Sequence, residues 1–142
     1  MTTAKLTTAD YPLAERRPEL VTGKRGKSLD DITLDAVMAD DISMDDLSIT
    51  RHALHQQAEI AADAGRATLA QNFRRAAELV DVPQETIMQI YERLRPGRAQ
   101  SKAELVQLAH DIEQRYGAQV IAAFIREAAD VYDRRGLFSK RF

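Results

Sequence analysis

The sequence contains no cysteine. That removes disulfide frameworks, thiolate nucleophiles and cysteine-ligated zinc or iron–sulfur centres together, and it fits a reducing cytoplasm. An excess of one charge is missing too. Twenty basic residues face 22 acidic ones, a formal net charge of −2, so nothing steers the whole chain toward nucleic acid or anionic lipid. No stretch approaches the roughly 20 apolar residues that a bilayer requires. Met1 to Leu20 is threonine-rich, carries Asp10, Glu15 and Arg16, and has no apolar core of signal-peptide length. The expectation is a soluble, cytoplasmic protein with no membrane partner.

What is present is helical. The 142 residues suit one compact domain. Residues 1–28 show no hydrophobic period, Pro12 and Pro18 interrupt any helix, and Gly23 and Gly26 loosen the rest. They are expected to form an extended, irregular N-terminal arm, with a helical domain over residues 29–142. From Leu29 to Leu47 the charges are all acidic, interrupted by Ile32, Leu34, Val37, Met38, Ile42, Met44 and Leu47. Thr33 to Ala39 predicts a short helix, and Ser43 with Asp46 three residues on resembles a capping box.

The strong signal starts after Thr50, an N-cap residue. Leu54, Ala58, Ala61, Gly65, Leu69, Phe73, Ala76 and Val80 step by three or four residues, the stripe of a long helix with Gly65 as its point of bend or break. Pro83 opens the next helix, whose buried side is expected to be Ile87, Ile90, Tyr91 and Leu94, and Pro96 closes it near Arg95. Ser101 and Glu104 cap a helix striped by Leu105, Leu108, Ala109, Ile112 and Tyr116. A last helix after Gly117 is expected to bury Ile121, Phe124, Ala128 and Val131. No strand alternation occurs. The predicted class is all-α, with about four to five main helices packed orthogonally.

Constellations that could carry chemistry are weak. Val21 to Ser28 ends like a phosphate-binding loop, but Val21 stands where the motif needs its first glycine and no strand precedes it. His52, His55 and Glu59 share a helix face, yet the usual helical zinc site spaces its histidines by four around a glutamate, so a solvated face is favoured. The acidic run from Asp30 to Asp46 reads as a solvated surface or a contact with a basic partner. Arg74, Arg75, Arg95, Arg98 and Arg126 could form a nucleic-acid stripe, but Glu78, Glu92 and Glu127 lie among them as ordinary helix pairing or interface charge.

No catalytic, cofactor-binding or metal-ligating residue is therefore assigned. The candidate residues belong to a partner interface: Tyr11, Pro12 and Leu13 in the arm; Asn72, Phe73, Arg74 and Arg75; Arg95 and Pro96; Arg126 and Glu127. Asn72 to Arg75 sets a large apolar group among strong hydrogen-bonding groups, a mixture common at the buried centres of interfaces. An irregular stretch this long carrying Tyr11, Leu13 and Leu20 is expected to lie along another subunit.

Asp10-Tyr11-Pro12-Leu13, Asp31-Ile32-Thr33-Leu34, Asn72 to Leu79, Ile90-Tyr91, Leu94-Arg95-Pro96, and Ala122 to Ala129 with Tyr132 occur in an order that resembles the small subunit of adenosylcobalamin-dependent diol or glycerol dehydratase, across roughly residues 10 to 135. The resemblance implies a hydro-lyase of large, medium and small subunits, two copies of each, turning propane-1,2-diol or glycerol into an aldehyde and water by a radical route. It implies that the other subunits hold the corrin and that this one supplies no catalytic residue. Relatives housed in bacterial microcompartments can carry an extra amphipathic N-terminal segment, and none precedes Thr8, so encapsulation through this chain is not expected. The competing readings are a free-standing helical adaptor or regulator of a protein or nucleic acid and, behind it, a ligand-binding helical bundle.

Overall fold

Side-chain capping sets the starts of four of the helices. The computed structural model describes residues 4–138, which form eight α-helices: α1 Leu13–Arg16, α2 Leu34–Met38, α3 Met44–Leu47, α4 Arg51–Asp63, α5 Ala67–Leu79, α6 Gln84–Leu94, α7 Lys102–Tyr116 and α8 Gln119–Arg134. Thr33, Thr50 and Ser101 accept the backbone N–H of the third residue onward into α2, α4 and α7, satisfying donors that a helix start leaves open. Ser43 and Asp46 close the expected capping box on α3. The fold is all-α: among the described residues the β pairing is one isolated bridge between Thr22 and Ser28.

The chain divides into two compact units, Met1–Val80 and Asp81–Phe142. In the first, the long helical stripe breaks into α4 and α5. Gly65 has φ +74°, a left-handed conformation that costs glycine little and other residues much, so the chain turns back and α5 packs on α4. Both helices present small residues at depth, Ala58 and Ala61 on α4 and Ala70 and Ala77 on α5.

The N-terminal segment differs from the irregular arm expected. It folds into short helical turns, Thr8–Asp10, α1 and Pro18–Leu20, and packs on α4. Leu6, Leu13 and Ile60 form a buried apolar cluster edged by Leu20 and Val21. Two carboxylates of α4 hold the backbone: the Leu6 N–H donates to Glu59 Oε2 at 2.9 Å and the Thr8 N–H to Asp63 Oδ2 at 2.8 Å. Proline did not prevent this, because Pro12 and Pro18 sit at the starts of one-turn helices, where a missing N–H costs nothing.

In the second unit α7 and α8 form an antiparallel pair. Leu105, Ala109 and Ile112 face inward on α7, and Ile121, Ala122, Ile125 and Ala129 on α8. The buried stripe of α8 is thus rotated from the one expected: Ile121 is buried, but Phe124 is exposed and Ala128 and Val131 are half-buried. Burying Ala122 and Ala129 beside Ala109 lets two helices approach closely, an outcome that periodicity does not rank above the alternative. On α6 Ile90 is buried while Tyr91 is exposed, against expectation. The α6 end is tied down by the Tyr132 hydroxyl, which donates to the Leu94 carbonyl, and by an Arg93–Glu104 ion pair to α7.

Candidate functional site

Of the groups with chemical potential, some are engaged in structure and others face solvent. His52 and His55 are exposed, and Glu59 accepts the Leu6 N–H. Among the described residues no group of three or more His, Cys, Asp or Glu could hold a metal ion. The basic turn of residues 21–28 is neutralised from within: Lys27 Nζ meets Asp41 Oδ2 at 2.7 Å and Arg25 Nε lies 3.2 Å from Asp46 Oδ1. Arg25 also donates to the Asp41 carbonyl at 3.0 Å.

The interface candidates divide between the two units. Leu13 is buried in the cluster with Leu6 and Ile60, so its side chain serves the chain's own packing. Pro12 is half-buried, its carbonyl accepting the Glu15 and Arg16 N–H groups at the start of α1, whereas Tyr11 is exposed. On α5, Phe73, Arg74 and Arg75 are half-buried, and Arg75 donates to exposed Asn72. In the other unit Arg95 and Pro96 are exposed, with Arg95 Nη1 3.2 Å from Glu92. Arg126 pairs with Glu113 of α7, and Glu127 is exposed. Arg75 and Arg95 each contact a residue three positions away, and Arg126 reaches across to α7.

A different stretch stands out. Between Leu29 and Ile49 the chain exposes Leu29, Leu34, Val37, Met38, Met44, Leu47 and Ile49, with Met38 at 77%, Leu34 at 75% and Met44 at 75% of full exposure. Helices α2 and α3 have five and four residues, too short to bury a stripe of their own. They are held by caps and ion pairs instead. Asp31 sits below the usual carboxylate range, chiefly because the Ser28 backbone N–H donates to it. Asp41 is lowered first by its hydrogen bond from Lys27.

Asp46 anchors the segment. Its side chain is fully buried, and Oδ2 accepts the Ser43 N–H at 2.8 Å. Oδ1 is close to Arg25 Nε, but the N–H is not aimed at it, so the contact is ionic and that oxygen accepts no hydrogen bond. Gly23 passes so close that a Cβ there would lie 2.7 Å from the Asp46 carbonyl oxygen. Asp46 also lines a cavity of about 190 Å³, shared with Val21, Leu29, Ile32, Leu47 and Ile49. Sequence reasoning noted the acidic run here but not the exposed apolar groups within it; the absence of a helix-length period was the available signal.

Comparison with known proteins gives a consistent result. The family model described as dehydratase small subunit matches residues 6–139. The chain is 51% identical over 133 residues to the propanediol dehydratase small subunit of Citrobacter freundii, covering 94% of this chain and 76% of that one. It is 50% identical over 127 residues to the propanediol dehydratase small subunit of Salmonella typhimurium strain LT2, covering 89% and 73%. An all-α chain whose acidic, apolar segment is left without a cover, matched along nearly its whole length, belongs to the dehydratase small-subunit family.

Proposed function

We propose that this chain is the noncatalytic small subunit of a propane-1,2-diol or glycerol dehydratase, in which it stabilises the assembled large and medium subunits, two copies of each chain together. The observation that carries this reading is the match over residues 6–139 together with relatives near half identity named propanediol dehydratase small subunit. The packing of the N-terminal segment on α4 withdraws one ground for a partner that the sequence offered. The uncovered stretch from Leu29 to Ile49 supplies another, since apolar side chains left this exposed mark association surfaces.

Adenosylcobalamin would be held by the other subunits and would supply the radical that starts the reaction. This chain's part is to hold the larger subunits in their folded, associated form, a mass-action effect on stability. The setting proposed is the cytoplasm.

The test is co-expression of the large and medium subunits with and without this chain, followed by coenzyme B12-dependent aldehyde formation and measurement of complex size. Loss of activity or of assembly without it is expected. Equal activity and equal assembly would reject the proposal.

A further inference from the structure

The stretch from Leu29 to Ile49 joins three properties that seldom coincide by chance on a free surface. Seven large apolar side chains are exposed on it. Asp30, Asp35, Asp40 and Asp45 are exposed and make no ion pair among the described residues. A cavity of about 190 Å³, walled by Leu29, Leu47 and Ile49 and by the buried Asp46, opens among them. A cavity of ~150 Å³ takes a benzene ring, so this one has room for a single large side chain from a partner.

Its backbone is also fixed before any partner arrives. The capping boxes Ser28–Asp31 and Ser43–Asp46, the Thr33 cap, and the ion pairs from Arg25 and Lys27 tie it to the turn before it. A preorganised backbone loses little conformational freedom on binding, and methionines such as Met38 and Met44 adapt their shape to the facing surface.

We infer that residues 29–49 form the surface by which this subunit docks on a larger subunit of the dehydratase, and that the facing surface is an apolar groove rimmed by lysine and arginine that places one large side chain in the cavity beside Asp46. The basic rim follows from the four unpaired carboxylates, which would repel an acidic rim, gain nothing from a neutral one, and draw in and orient a basic one. The inference rests on the proposed function and adds the place and chemistry of the contact.

The test uses the complex made by co-expressing this chain with the large and medium subunits. Met38→Asp and Met44→Asp alter side chains that touch little within the chain, so their thermal unfolding as isolated chains should match wild type. Each is expected to weaken retention in the complex at least tenfold. A variant with Asp30, Asp35, Asp40 and Asp45 all changed to Asn is expected to associate more slowly and to lose most of the salt dependence of association. Val106→Asp, at an exposed position on α7, is the control and should assemble normally. Assembly of the two methionine variants at wild-type strength overturns the inference while leaving the subunit reading intact. Failure of the wild-type chain to join the large and medium subunits overturns both. If light scattering then shows a dimer of this chain that Met38→Asp breaks, the true occupant is a second copy, which also overturns it.

Discussion

Replacing Ile60 by Ala should release the N-terminal segment from α4 without unfolding the rest of the chain. Ile60 is the only one of the three buried members of the Leu6–Leu13–Ile60 cluster that belongs to α4, so it is the floor on which the segment rests. Removing buried methyl and methylene groups from an isoleucine costs about 2–5 kcal/mol, depending on how far the site collapses. The cluster is small and its edge, Leu20 and Val21, is only half-buried, so collapse is easy and the low end, about 2 kcal/mol, applies. At about 1.4 kcal/mol per tenfold, that raises the opened population roughly 30-fold. Brief trypsin digestion reads this directly through cleavage after Arg16, provided that opening and reclosing are faster than cutting. The expected result is about 30-fold faster cleavage there, with cleavage within α7 and α8 as the reference for global unfolding. An unchanged rate after Arg16 would mean that the segment is not held by this cluster.

Acid should loosen the same segment. Asp63 is lowered first by the Thr8 backbone N–H, and Asp10 first by that of Thr7 and then by Arg17. A carboxylate lowered on folding stabilises fully above its unfolded value, about 3.9, and loses that contribution as pH falls through its folded value. Amide exchange at Thr8 should therefore rise below about pH 4 beyond its intrinsic pH dependence, and Asp63→Asn should reduce that rise, leaving the part due to Asp10. Ile125→Ala, on a side chain with no solvent exposure, should cost about 2–5 kcal/mol in denaturant unfolding; a loss under about 1 kcal/mol would contradict the packing described for α7 and α8. Gly23→Ala should destabilise by about 1–3 kcal/mol, because its Cβ meets backbone rather than a movable side chain, and faster exchange of the Ser43 amide is the local sign to look for.

Local chemistry was legible in the sequence, and distant contacts were not. Thr33, Ser43, Thr50 and Ser101 mark helix starts through oxygens that reach only three residues, and Gly65 marks a break through its own conformation. The five long helices, α4 to α8, follow from that and from the apolar period. The docking of Leu6 and Thr8 on Glu59 and Asp63 joins residues more than fifty positions apart, which no local pattern encodes. On α8 two apolar stripes compete, and packing against α7 decides for Ala122, Ile125 and Ala129. Among the interface candidates, Leu13 is apolar for the sake of its own chain. The exposed groups of residues 29–49 escaped notice because apolar side chains in short helices look, in sequence, like the beginnings of a core.

The central claim is that this chain exists to join larger subunits, and native mass spectrometry of the assembly recovered from the parent cell by a tag on this chain tests it most directly. The expected spectrum shows an assembly of about 16 kDa copies of this chain with two kinds of larger polypeptide, in equal numbers. Recovery of the chain alone, or as an assembly of itself only, would contradict it.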